Sequence, residues 1–445
     1  MSDVFKQDLS FPKLLKFALP NIIMMVFLSL YVIIDGIFIS SKVGDVALGG
    51  VNIVYPVISL MFALSIMIGC GGGALISKKL GEGKIEEARK NFSTLIIIEI
   101  FVSLIFLILG NVFIEQIVKL LGGSLATQDL IDYGVKYLRV ALCFAPALFL
   151  QCAFQTFFIT AGKPLIGMGV VICAGITNII MDYLLIVVFQ MGVEGAGLAT
   201  ALGQCIPAVV GILYFSINRS NNLYLVKPDF DFKMITKACT NGSSECLSNL
   251  SNAVTTFLFN VVFLSIYGEN GAAAITIILY FQFIIIAIFF GYTNGISPVI
   301  SYKYGEGKME HIKKILKQSI VFIFFLSITM FILSLIIGGP IISAFVNKGT
   351  ETYDIAFNGL KYFVPSFLFI GFSILASAFF TALNDGLTSG IISACRTLIF
   401  LSLSIIICSA IFGGNGAFSS VAVAEFLGLA VSIFFLIYKK KRYNY

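Results

Sequence analysis

The stretch LIGMGVVICAGITNIIMDYLLIVVF, residues 165–189, decides the fold. At ~1.5 Å per residue it is long enough to cross the ~30 Å hydrocarbon core of a bilayer as one helix. Its only charge is Asp182, and Asn178 stands one helical turn earlier on the same face. A carboxylate deep in hydrocarbon costs several kcal/mol, so it belongs against an internal cavity. An ion or proton site is the first functional expectation.

Composition carries this reading to the whole chain. Of 445 residues, 58% are hydrophobic and 12% charged, with a mean hydropathy of +1.00. Soluble domains of this size are not built that way; the chain reads as an all-α polytopic membrane protein whose first partner is the lipid bilayer. Apolar runs give about twelve spans, near 17–40, 48–76, 92–114, 132–158, 165–189, 193–216, 238–266, 271–300, 315–338, 356–382, 387–411 and 416–438. Pro20, Pro56, Pro146, Pro207, Pro298 and Pro365 mark helices that can kink or break. The opening MSDVFKQDLSFPKLLKF lacks a cleavage region before the first span, so no processing is expected.

The net charge of +6 does not call for nucleic acid, because the basic residues sit in short loops between apolar runs. With the N-terminus placed inside and the loops alternating, 22 of the 29 Lys and Arg residues fall on the inner side. Six lie on outer loops or span edges, and Arg396 lies within a span. Both termini are therefore expected in the cytoplasm.

The chain also repeats itself. SKKLGEGKIEEARK at 77–90 matches SYKYGEGKMEHIKK at 301–314 at 8 of 14 positions, an offset of 224 residues. Six spans separate the copies, so the halves share one orientation and a pseudo-twofold axis along the membrane normal should relate them. Two six-helix lobes are expected, an N-lobe over 1–217 and a C-lobe over 238–445, joined by a polar cytoplasmic linker at 218–237. Since one chain supplies both lobes, a monomer is expected. The GEGK turns lack the strand and GxxxxGK[ST] spacing of a phosphate loop, so they read as turns between long helices.

Other chemistries find little support. Nine cysteines fall in or beside apolar runs with no CxxC pair and read as small buried hydrophobes. The single histidine, His311, lies in a basic loop. No nucleophile–base pair or metal-ligand spacing appears in the spans, so neither an enzyme nor a resident cofactor or metal is expected. With 44 phenylalanines and 17 tyrosines, most aromatic side chains must face lipid or neighbouring helices, and some could stack on aromatic cations in a cleft.

The buried charges are more telling. Asp35 in the first span, Asn178 and Asp182 in the fifth, and Thr200 in the sixth fall at a common depth in the outer half of the bilayer. Two carboxylates with amide and hydroxyl oxygens suit a proton or a sodium ion, since close carboxylates can share a proton and oxygen ligands fit hard cations. The other half has no matching pair. Its ionisable residues are Glu245, Arg396 and Glu425, where Arg396 can neutralise either glutamate or a glutamate can face a cationic substrate. Glu99 in STLIIIEIFV reads as a packing or interface residue.

These features together resemble the multidrug and toxic compound extrusion (MATE) transporters, in particular a bacterial branch of small multidrug pumps. The resemblance rests on VIIDGIFISSKVGDVALGGVNIVYPV, on NIIMDYLLI followed by GAGLAT, and on NGSSE and GISPVISYKYGEGK in that order. It covers essentially the whole chain. It implies secondary active efflux from a prokaryotic plasma membrane, in which amphipathic and often cationic organic compounds leave against an inward proton or sodium gradient. It also implies a cation site at Asp35, Asn178, Asp182 and Thr200. One departure is visible: where many members carry an arginine after the fourth span, this chain reads FFITAGKP, with Thr160. The alternative is a lipid or lipid-linked oligosaccharide flippase of the same superfamily, against which the near-solitary Arg396 argues. A simple channel is a further rival, disfavoured by the duplication and the buried carboxylates.

Overall fold

Within hydrocarbon every backbone N–H and C=O must find its partner inside the chain, which leaves the helix as the form for these apolar runs. The computed structural model describes residues 10–122 and 127–445, and of Asp45 the backbone alone. Residues 1–9, expected to escape processing, lie outside the described residues. No strand occurs among the described residues. The helices are α1 (Phe11–Phe38), α2 (Asp45–Gly81), α3 (Ile85–Ile105), α4 (Ile114–Gly122), α5 (Gln128–Cys143), α6 (Ala145–Thr160) and α7 (Pro164–Asp182). After them come α8 (Gly192–Ile217), α9 (Phe232–Gly305), α10 (Met309–Phe345), α11 (Glu351–Phe363), α12 (Phe367–Ala382), α13 (Gly386–Ser393) and α14 (Leu401–Tyr443).

The spans emerge from these helices by joining some and dividing others. α5 and α6 form one span bent by 57°, and α11 and α12 one span with a 3₁₀ turn at Val364–Ser366. α9 is two spans, broken at Gly268 (φ 65°, ψ −153°), and α13–α14 divide at Gly413 (φ 58°, ψ −138°). Both breaks need a positive φ that a residue with a Cβ resists. Twelve spans result among the described residues, in two lobes of six. The expected fourth span, 132–158, is not one straight helix: Pro146 cannot donate to the preceding turn and instead opens α6 at its first positions. The short amphipathic α4, between the third and fourth spans, has no counterpart in the expected boundaries.

The lobes meet in a seam built by the repeat. A Cβ on Gly81 would strike the carbonyl oxygen of Tyr302, and one on Gly305 would strike that of Lys78. The offset of 224 converts each contact into the other. Likewise a Cβ on Gly71 would meet the Ala238 carbonyl and Gly242, while a Cβ on the equivalent Gly295 would lie 3.1 Å from Ala18 Cα. Asn21 Nδ2 donates across the seam to Gly291 O at 2.6 Å. These residues all lie in the halves of their helices nearer the chain termini, so the lobes are closed together on that side, here called the terminal side.

On the same side the C-terminal end of α14 is pinned. Asp385 accepts the Tyr443 hydroxyl at 2.9 Å and pairs with Lys439 Nζ at 3.2 Å. It also accepts the Thr388 N–H at 3.3 Å. Burial pushes the Asp385 carboxyl up, but these donors outweigh it and hold the group below the usual carboxylate range.

Candidate functional site

Three close helix contacts in the N-lobe bring the sequence-predicted residues together. Gly175 of α7 leaves room for Tyr31 and Phe27 of α1, with Tyr31 Cδ1 3.1 Å from where its Cβ would stand. Gly203 of α8 does the same against Asn178 Cβ at 3.2 Å. Gly197 of α8 takes Val140 and Tyr137 of α5, at 3.2 and 3.6 Å. Small residues let the backbones approach, and the polar side chains one turn away are drawn inward.

Asn178 Nδ2 donates to Thr200 Oγ1 at 3.3 Å. Asp182, one turn on, is fully buried and interacts directly with Asp35 of α1. Both Asp182 carboxyl oxygens, Asp35 Oδ1 and Asn178 Oδ1 are buried without a hydrogen-bond partner. Oxygen acceptors from α1 and α7, with the Thr200 hydroxyl beside them, thus converge with unused lone pairs. Such a set is unfavourable as two bare carboxylates. A shared proton or a bound hard cation removes the repulsion.

Two tyrosines and an amide complete the surroundings and were not found in the sequence. Tyr137, buried on α5, lies against Thr200 and within the electrostatic reach of both aspartates. Tyr31, one turn before Asp35, reaches Gln151 of α6, itself buried. Their only sequence signal was the polar tip on an otherwise apolar run. The backbone is also irregular here: π-helical turns follow Asp35 at Ile39–Val43 and Asp182 at Tyr183–Val188. π-bulges occur often at functional sites.

In the C-lobe, Arg396 sits in another π-helical turn, Ala394–Phe400, and its Nε lies 3.4 Å from Glu425 Oε1. Glu425 Oε2 has no partner. Glu245 feels the Arg396 charge but makes no ion pair with it, standing instead toward the N-terminal end of α9 near Cys70. Arg396 therefore neutralises Glu425 by contact, and these three residues form a separate cluster from the aspartates. Glu99 is buried in the packing of α3 against α2. Among the described residues, no three His, Cys, Asp or Glu side chains come together as a metal site.

A family model, MatE, matches residues 20–184 and 245–406. The chain belongs to the MatE family. This MatE chain is 27% identical over 440 residues to "Multidrug export protein MepA" of Staphylococcus aureus (strain MRSA252), covering 98% of this chain and 95% of that protein. Its fold superposes on the outward-facing conformation of a multidrug resistance MATE family transporter of the MOP superfamily with a TM-score of 0.91. That match is 20% identical and covers 99% of this chain and 97% of the other. It superposes equally well, at 0.91 and 19% identity, on MATE in the straight conformation, covering 99% and 98%. The MatE family is one of membrane transporters, and this chain is a multi-pass member of it.

Proposed function

We propose that this protein is a cation-coupled multidrug antiporter, exporting amphipathic, often cationic organic compounds in exchange for H+ or Na+. The observation that carries the reading is the convergence of Asp35, Asn178, Asp182 and Thr200, with buried oxygens that lack donors. In the state open away from the terminal side, a proton or sodium ion neutralises the Asp35–Asp182 pair. That lowers the cost of bringing the two carboxylates together and favours drug release. When the lobes rock about the seam, the cation leaves on the terminal side and drug binds. Exchange follows because cation and drug favour different states or compete for one cavity. In the C-lobe, Glu245 and the half-satisfied Glu425 give a cationic compound two carboxylates against one arginine. The lobe limits of 1–217 and 238–445, a monomeric state and a plasma-membrane location with both termini in the cytoplasm belong to the same reading. The loop charges support that orientation.

The test is efflux of a fluorescent cationic dye from proteoliposomes with proton and sodium gradients imposed separately. Export driven by one gradient, and reduced to the gradient-free rate in Asp182→Asn and Asp35→Asn proteins that stay folded, is expected. Dye movement indifferent to both gradients would overturn antiport and turn the question to labelled lipid. Normal export by Asp182→Asn would overturn the site.

A further inference from the structure

Glu99 of α3 is wholly excluded from solvent, and neither of its carboxyl oxygens has a hydrogen-bond partner. It stands one turn beyond Leu95, whose side chain fills the space that a Cβ on Gly72 of α2 would take. Its face therefore looks onto α2. Ser65 lies near enough to interact directly, although its hydroxyl donates to Phe149 O at 3.0 Å. The titratable groups around it are Cys70 of α2, Cys152 of α6 and Cys239 of α9, and Glu245 acts on Cys70 from the opposite lobe. None of them is a cation. A bare carboxylate in such surroundings would be far costlier than the neutral acid.

Two of these neighbours belong to the seam. Cys70 precedes Gly71 and Cys239 follows Ala238, and Gly71 and Ala238 are in backbone contact across the lobes. Parting the lobes on the terminal side would draw Cys239 and Glu245 away from this cluster and admit water beside it. A deprotonated Glu99 could then be solvated.

We propose that Glu99 is a proton-carrying residue coupled to the lobe seam, holding its proton while the seam is closed and releasing it when the seam opens. In the release step the carboxyl O–H bond breaks and the proton passes to a water molecule admitted from the terminal side. On closure a hydronium ion reaching it from the terminal side returns a proton to the carboxylate and leaves as water. Acid on the terminal side thus favours the closed seam, independently of the aspartate pair. The inference rests on the alternating-access reading, but its test does not require export.

The experiment is infrared spectroscopy of the reconstituted protein, with maleimide labelling of Cys70 and Cys239 read by mass spectrometry in parallel. At neutral pH one protonated-carboxyl C=O band should be present in the wild type and absent in Glu99→Gln. As pH rises, loss of that band should track faster labelling of Cys70 and Cys239, beyond the acceleration that thiol ionisation alone gives free N-acetylcysteine. Should Glu99→Gln not fold, the conservative Glu99→Asp protein should keep the band at a shifted frequency, which assigns it to this position. If Glu99→Gln removes no such band, or if the band persists while the two cysteines become reactive, the proposal is overturned. Failure of the efflux experiment would leave these readouts intact, so the two readings fall separately.

Discussion

Substituting Gly305 by alanine tests whether the seam governs the lobe equilibrium. The added Cβ would run into the Lys78 carbonyl and lie 3.0 Å from Glu82 N. Both obstacles are backbone atoms at the end of α2, so no side-chain rotation relieves the clash. Overpacking of this kind costs about 1–3 kcal/mol. The penalty falls only on the closed arrangement, so the closed-to-open ratio should drop by about 5–150-fold. Hydrogen–deuterium exchange of the segments around 78–84 and 300–307 reads that ratio. Their protection should fall by a comparable factor in Gly305→Ala and again in Gly81→Ala, whose Cβ meets the Tyr302 carbonyl. Gly169→Ala, with nothing within 4 Å of the new Cβ, should leave both segments unchanged. Unaltered protection in the seam variants, or a uniform loss across all helices, would refute the reasoning.

Further outcomes follow from single contacts. Thr200→Ala removes the acceptor of Asn178 and should raise the cation concentration for half-maximal export by about 2–12-fold, the equivalent of one net hydrogen bond. An unchanged cation dependence would exclude Thr200 from the site. Arg396→Met leaves Glu425 buried without its cation and should destabilise the detergent-solubilised protein by about 3–5 kcal/mol, with most of it recovered in Arg396→Met/Glu425→Leu. Thermal unfolding measures both, and a single variant as stable as wild type would argue against the ion pair. Because the folded-state affinity of Asp385 for its proton is lowered, its stabilising contribution is complete above the ordinary carboxyl range and fades as pH falls through the lowered value. Amide hydrogen exchange over residues 436–445, corrected for its intrinsic pH dependence, should therefore lose protection in acid in the wild type, and be weakly protected at all pH in Asp385→Asn.

Much of this architecture could be read in advance. The apolar runs announced the spans, and Gly268 and Gly413 fall in the short gaps left at 267–270 and 412–415. Asp35 and Asp182 stood out because charge in hydrocarbon is expensive. Other features depended on neighbours in space. The 57° bend at Phe144 depends on how Pro146 starts a new helix, which a hydropathy window averages away. Tyr137 and Gln151 carry no charge, so nothing in their own segments distinguished them from packing residues. Glu99 was visible as a charge, but its nearness to Cys239 requires the other lobe to be in place. The seam glycines were in plain sight as well. Applying the offset of 224 to Gly71, Gly81 and Ala18 yields Gly295, Gly305 and Gly242, though only the fold shows which backbones touch.

The same offset carries Asn21 onto Glu245. Asn21 bridges the lobes with an amide N–H, a donor at every pH. A carboxyl in the equivalent position can donate only while it carries its proton. Duplication has thus produced two equivalent positions that share a backbone but not a chemistry: one donor is permanent, the other exists only with the proton in place. Because the twofold runs along the membrane normal, that difference separates one lobe from the other and not one membrane face from the other, so acid would address the C-lobe position alone.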